Sequence, residues 1–308
     1  MEIRITRELD GITVKEWLRQ NGYSRGHVTS LKKLSDGITV NGEHATVRKV
    51  LWNGDILALA DSDRKEDENQ FLIPTPMELD ILYEDGDMIA VNKPPDMATH
   101  PSIGHFADTL ANGLAHYYSK KDVPFVFRAV NRLDRDTSGV VLVAKNRNAA
   151  ARLSGLMKSG GVEKSYIAIL NGVIEPREGE ISTHICRQDA SVILRRVCEA
   201  GEPGAKEALT RYRTVYAGEN VSVVSAVPVT GRTHQLRVHF AHMGTPIIGD
   251  GFYGSAETAP TELDLMIKRQ ALHAYSLCLK MDDKQLTFTA PMPYDMAAVR
   301  KYIEGEHP

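Results

Sequence analysis

The apolar residues of the first sixty positions keep a helical spacing and then an alternating one. Val14, Trp17 and Leu18 recur as one face of a helix, and Thr13 with Glu16 forms a capping-box pattern ahead of them. Asn21-Gly22 stops that helix, and Ser24 is placed to cap a second one carrying Val28 and Leu31 and ending near Gly37. "ITVNGEHATV" predicts a hairpin across Asn41-Gly42, and "NGDILALA" predicts one more strand. From about residue 75 the pattern starts again. "LDILYEDGDMIAVNKP" predicts two strands around Asp85-Gly86, ended by Lys-Pro-Pro, and the apolar run from Val140 to Ala144 predicts a buried strand. "NAAARLSGLM" predicts a helix, "SYIAIL" and "VSVVSAV" predict strands, and "THQLRVHFAHM" predicts a helix stopped by Gly244 with Pro246 behind it. No fixed-period repeat is present. Strands and helices do not alternate in long βαβ units. The expected class is therefore α+β: a mixed, largely antiparallel sheet flanked by helices, preceded by a small α/β module.

Composition adds bounds to this picture. The 308 residues are 42% hydrophobic and 25% charged, ordinary for a globular protein with a sizeable core. No run of about 18 apolar residues predicts a membrane span. The start, "MEIRITRELD", lacks the apolar stretch of a secretory signal. Three cysteines, odd in number and widely spaced, fit a reducing cytoplasm better than a disulfide framework. The net charge of -3 is unevenly spread. Residues 61–80 hold seven acids and two bases, which leaves a positive balance in the rest of the chain. The expected organisation is a module over 1–60, an acidic linker over 61–74 and a larger domain over 75–308. Arg19, Arg25, Lys32, Lys33, Arg48 and Lys49 make the module basic, which suits either a solvated face or a nucleic-acid surface.

Three clusters hold candidate chemistry. In "NRLDRDTSG", residues 131–139, Asp134 and Asp136 flank Arg135 just before a buried strand. Taken alone, such an aspartate can be a nucleophile, a metal ligand, a general base or an ion-pair partner in a surface turn. A magnesium phosphotransfer site of the haloacid-dehalogenase kind needs a downstream acid. In "GDGFYG" the position wanted after Asp250 is Gly254. In "TGRTHQLRVH", His234 and Arg237 fall three apart if the segment is helical. His234, His239 and His242 are spaced by five and three, which does not stack three ligands on one helical face. In "KSYIAILNG", Tyr166 shares a strand face with Ala168 and Leu170, where packing is the ordinary role.

Taken in order, "NRLDRDTSGVVLVAKN", "KSYIAILNG" and "VTGRTHQLRVHFAHMGTPIIGDGFYG" resemble the RluA-type pseudouridine synthases. "VNKPPDMATHPS" resembles their upstream Asn-Lys-Pro segment, and "RQALHAYSL" and "APMP" their closing segments. The resemblance spans about residues 75–300. The first sixty residues are similar to the S4 RNA-binding domain that precedes this catalytic domain in many members. One departure is Asn131, where the family often has His.

The resemblance implies an isomerase that breaks the N1–C1′ bond of a uridine, turns the base and rejoins it through C5, with no cofactor and no metal. It implies Asp134 as the nucleophile and Arg237 as the cation that keeps it ionised. Tyr166 is implied as the base for the C5 proton and as a stacking surface. Leu236 packs on the uracil, Arg132 fills the vacated position in the RNA, and Asn92 and Lys93 contact substrate. The expected partner is RNA, ribosomal in preference to transfer RNA, with no membrane and a monomeric cytoplasmic enzyme. A catalytically silent, S4-containing RNA-binding protein is the alternative.

Overall fold

The computed structural model describes residues 1–23, 25–60, 72–188, 191, 193–254, 262–281 and 284–305. The first sixty residues hold β1 (Glu2–Arg4), α1 (Val14–Gln20), α2 (Arg25–Lys32), β2 (Ile38–Val40), β3 (Glu43–His44) and β4 (Ile56–Leu59). The strands form an antiparallel sheet in the order β1-β4-β2-β3. Both halves of the capping box form: the Glu16 N–H donates to Thr13 Oγ1 at 3.2 Å, and the Thr13 N–H donates to the Glu16 carboxylate at 2.8 Å. Two of the donors left open at a helix start are thereby satisfied. Helix α2 ends at Lys32, short of Gly37, because Leu34 and Gly37 close tight turns instead. Ser-Asp-Gly at 35–37 favours those turns over a further helical turn. The expected cap at Ser24 lies outside the described residues.

The larger sheet is built from β5 (Asp80–Glu84), β6 (Met88–Lys93), β7 (Arg128–Ala129), β8 (Ser138–Ala144), β9 (Val162–Asn171), β10 (Glu178–Arg187), β11 (Arg195–Cys198), β12 (Lys206–Ala217), β13 (Val221–Pro228), β14 (Leu272–Met281) and β15 (Lys284–Thr289). Its order is β11-β10-β12-β13-β9-β14-β8-β6-β5, with β15 added at β14 and β7 at β8. Every pairing is antiparallel except β14 with β8. The flanking helices are α3 (Leu110–Ser119), α4 (Arg147–Lys158), α5 (Gln235–His242), α6 (Glu262–Met266) and α7 (Tyr294–Ile303).

Strand β8 explains the unbroken apolar run in the sequence. Val141 and Val143 point into one core, while Val140, Leu142 and Ala144 point into another on the opposite face. A strand covered on both sides has no polar alternation to show. Gly139 begins it with φ +114°, and a Cβ there would lie 2.2 Å from the Ala274 carbonyl oxygen on β14. Only glycine allows the two strands to approach so closely.

The small sheet and its helices have their own core of Trp17, Leu18, Leu31 and Leu57, which Ala151 of α4 completes. Arg147 Nη1 donates to Ser30 Oγ at 3.1 Å, and Asn148 Nδ2 donates to the Ala60 carbonyl at 3.3 Å. Residues 61–71, most of the expected acidic linker, lie outside the described residues. Residues 72–79 carry no helix or strand. Among the described residues no helix is long and apolar enough to cross a membrane.

Candidate active site

Asp134 sits in the irregular run that leads from β7 into β8. The Thr137 N–H donates to the Asp134 carbonyl at 3.1 Å and closes a four-residue turn. The turn is fastened from beneath. Lys93 is fully buried, and its ammonium donates to the carbonyls of Pro94, Met97 and Arg135 at 2.7, 2.7 and 2.9 Å. Thr99 Oγ1 donates to the Leu133 carbonyl at 2.9 Å, and Arg269 Nη1 donates to the Asp136 carbonyl at 2.9 Å. Arg135 itself pairs with Asp96. Asn131 donates to the Val140 carbonyl at 2.9 Å and accepts from the Leu142 N–H at 2.8 Å, so its amide is consumed by β8.

The turn borders a cavity of about 620 Å³, within the usual size of a ligand site. Asp134, Arg132, Tyr166, Lys164, Leu236 and Arg237 line it together with His100. Tyr166 and Lys164 are two apart on β9 and so share its face. Arg237, near the start of α5, reaches Asp134 Oδ2 with Nη1 at 3.4 Å. Its main partner is Asp250, which it grips through Nε and Nη2, both at 2.7 Å. The Asp250 side chain is wholly buried, and its Oδ1 also accepts the N–H groups of Phe252 and Tyr253 at 3.0 and 3.2 Å. Burial works against the Arg237 charge, but the hydrogen bonds and charge of Asp250 hold its pKa above the ordinary value. A buried ion pair of this kind is tolerable because the Arg237 fork meets both Asp250 oxygens and two backbone N–H groups also bond the carboxylate.

Burial also shifts several titratable groups in and beneath the cavity. Burial pushes the Tyr166 phenol upward, and the Asp134 charge adds to this. It lowers Lys164, and it lowers His100 with help from Arg132. It also lowers Lys93 to about 7, against the pull of Asp136 and Asp134.

The structure therefore brings Asp134, Tyr166, Arg237, Arg132 and Leu236 to one cavity. It does not bring Asn92 or Lys93 there. Asn92 donates to Asp80 on the neighbouring strand at 2.9 Å. Lys93 lies beneath the turn with its three donors used, so the expectation of substrate contact is replaced by support of the Asp134 loop. The helical placement of His234 is also corrected. The helix starts at Gln235, and His234 precedes it in the left-handed region at φ 56°. Buried Gln235 fixes that start by bonding Thr230, Arg232, Leu209 and Thr210. His239, fully buried, is held between Thr183 and Thr210 with its pKa lowered by burial to about 4, away from His234.

Sequence reasoning gave Asp250, His234 and Lys164 no role in the site. A carboxylate inside the apolar stretch "TPIIGDG" was the available signal, because a buried acid requires a partner.

A sequence model described as RNA pseudouridylate synthase matches residues 87–242. The chain is 36% identical over 298 residues to the uncharacterized RNA pseudouridine synthase YjbO of Bacillus subtilis (strain 168), covering 96% of this chain and 100% of that one. It is 36% identical to ribosomal large subunit pseudouridine synthase D of Vibrio parahaemolyticus serotype O3:K6, covering 89% of this chain and 85% of that one. Among solved structures, human RNA pseudouridylate synthase domain containing 1 superposes with a TM-score of 0.57 at 32% identity, over 72% of this chain and 87% of that one. With Asp134, Arg237 and Tyr166 meeting at one cavity and matches spanning nearly its whole length, the chain belongs to the RNA pseudouridylate synthase family, isomerases that act on RNA.

Proposed function

We propose that this enzyme isomerises uridines in ribosomal RNA and that Asp134 is its nucleophile. The observation that carries the assignment is the placement of Asp134. It borders the cavity on a rigidly held turn, with one carboxylate oxygen facing a buried arginine and the other unpaired among the described residues. The target base leaves its stack, at a cost of a few kcal/mol, and enters between Tyr166 and Leu236. Arg132 is exposed at the cavity wall and makes no ion pair with a described residue, which suits it to phosphate and to the gap left in the RNA. Lys164 adds a second cation to the same wall.

Asp134 attacks the sugar or the base, the N1–C1′ bond breaks, and C1′ rejoins at C5. The C5 proton then leaves and N1 gains one, so the mass is unchanged and no cofactor is consumed. Tyr166 is a neutral phenol in the free protein, given the direction of its pKa. It acts as base by passing its own proton to the released Asp134 carboxylate as it takes the proton from C5.

Arg19, Arg25, Lys32, Lys33, Arg48 and Lys49 are all exposed, which supports an S4-like RNA-binding surface over the first sixty positions, joined through the acidic segment to a catalytic unit over 75–308. The relatives named ribosomal large subunit pseudouridine synthase D favour ribosomal over transfer RNA as the substrate of a monomeric cytoplasmic enzyme. Pseudouridine mapping of ribosomal and transfer RNA, from cells with and without this protein, tests the reading. One or more ribosomal positions should lose pseudouridine. Unchanged maps would leave a silent RNA-binding protein.

A further inference from the structure

His234 has a geometry that packing does not require. It is a non-glycine residue at φ 56°, ψ 20°, an uncommon conformation in which histidine is nevertheless enriched and which recurs at functional sites. Its ring is almost wholly buried. The Phe252 ring stacks on it at 6.3 Å between centroids and 29°, and the Tyr253 ring meets its edge at 5.6 Å and 78°. The orientation is therefore fixed, with Nδ1 2.8 Å from the Tyr253 hydroxyl and Nε2 3.8 Å from Asp134 Oδ2.

The hydrogen-bond network selects the tautomer. The Tyr253 oxygen already accepts the Arg195 N–H at 2.9 Å. Its own proton needs an acceptor, and among the described residues His234 Nδ1 is the one in reach. Nδ1 is then unprotonated, and the neutral ring carries its hydrogen on Nε2, the nitrogen facing Asp134. The other tautomer would turn a lone pair toward a carboxylate. Burial lowers the pKa of His234, as does Arg237, while Asp134 and Asp250 raise it; the net direction is downward, which keeps the ring neutral near pH 7.

We propose that His234, held by Tyr253 as the Nε2–H tautomer, is a positioning donor for Asp134 that together with Arg237 fixes Oδ2 and leaves Oδ1 as the reacting oxygen. This rests on Asp134 being the nucleophile. Both donors converge on the same carboxylate oxygen, Arg237 at 3.4 Å and His234 at 3.8 Å. The His234 distance is longer than a hydrogen bond, and such contacts often tighten when substrate enters. The carboxylate is then prevented from turning its free oxygen away from the uridine. No proton leaves His234 in this role.

A long-range nitrogen–proton NMR spectrum of the unaltered full-length protein at neutral pH tests the tautomer. His234 should show the Nε2–H pattern, and Tyr253→Phe should shift it to a mixture. Single-turnover kinetics on a ribosomal RNA fragment test the role. His234→Leu should lower the chemical rate about 100-fold, a loss of the size seen when one fixed donor is removed. His234→Gln, which restores a donor at a similar reach, should recover most of it, with RNA affinity changed by less than about twofold in both. A protonated ring or an Nδ1–H tautomer in the unaltered protein overturns the proposal, as do equal rates for the Leu and Gln variants. Variants that fail to melt cooperatively leave the decision to the spectrum of the unaltered protein. Failure of Asp134 as nucleophile would appear separately, as an active Asp134→Asn enzyme.

Discussion

Glu84 and Asp134 are both carboxylates placed beside a cation and a tyrosine, and they differ in what remains unbonded. Glu84, at the end of β5, accepts from Lys145 and Tyr118 at 2.9 Å each through one oxygen. Through the other it accepts from Tyr117 at 2.7 Å and Lys121 at 3.4 Å. Burial alone would raise its pKa, but the hydrogen bonds from Lys145, Tyr117 and Tyr118 outweigh it and hold the group at about 2. Among the described residues Asp134 has only two long contacts, both through Oδ2, to Arg237 at 3.4 Å and to His234 at 3.8 Å, and its stronger neighbour, Arg237, is already committed to Asp250. A saturated carboxylate stabilises the fold and has nothing left to react. An under-bonded one beside a cavity is available for chemistry, and the protein carries the cost of holding it there. The two clusters should therefore separate stability from turnover when each is altered.

Asp250→Ala should give the largest change in stability. It strands the buried Arg237 charge, which typically costs about 3–5 kcal/mol, and it should depress turnover as well because Arg237 loses its orientation. Denaturant unfolding together with single-turnover rates checks both effects. Glu84→Gln should cost about 3–4 kcal/mol, the free-energy equivalent of holding its pKa at about 2 instead of 4.5, and leave the rate per folded molecule unchanged. The pH dependence has a definite sign. The folded-state pKa of Glu84 is depressed, so its contribution is complete above the unfolded value of 4.5 and is lost as pH falls through about 2. Acid unfolding of the Gln variant should be shallower over that window, and an identical profile would break the comparison.

Tyr166→Phe should leave melting and RNA affinity nearly unchanged and lower the rate about 100-fold, at the lower end for loss of a proton-transfer group. Near-normal turnover would leave the ring a packing role alone. Lys32→Ala combined with Lys33→Ala should give the smallest effect. RNA binding should weaken by roughly 1 kcal/mol, and its salt dependence should flatten by up to about two units of slope. Equal slopes would remove that face of the small unit from the RNA contact.

Much of the fold was legible where local chemistry and packing agree. The box at Thr13 and Glu16, the turn at Asn41-Gly42 and the stop at Gly244 each need only neighbours in sequence. Helix α3 was not legible because Asn112-Gly113 in "LANGLAHYYS" reads as a turn. The structure shows another reason for that glycine: a Cβ at Gly113 would lie 2.5 Å from Met77 Sδ. Asn112 meanwhile completes a capping box with Thr109. Strands β10 and β12 escaped because charged residues fill their exposed faces and leave only a sparse buried alternation.

In the site, the turn around Asp134 was visible because its residues are contiguous. The Arg237–Asp250 and His234–Tyr253 pairs join residues 13 and 19 apart across a helix and a turn, so only the folded chain brings them together. Lys93 shows the converse. A lysine in a suggestive motif looked available to substrate, but sequence does not reveal that β6 buries it beneath the loop it holds.

The most direct measurement compares Asp134→Asn with the unaltered enzyme on one ribosomal RNA substrate in EDTA, reading pseudouridine formed, RNA affinity and melting temperature together. The amide matches the carboxylate in size but is not a nucleophile. The rate should fall by many orders of magnitude, to background. RNA affinity should persist, and the melting temperature should hold or rise, because an under-bonded charge has been removed from a partly buried site. The unaltered enzyme should convert uridine without added nucleotide and with no change in RNA mass. An Asp134→Asn protein that still forms pseudouridine at an ordinary rate, or an unaltered enzyme that needs magnesium for the chemical step itself, would contradict the assignment of Asp134.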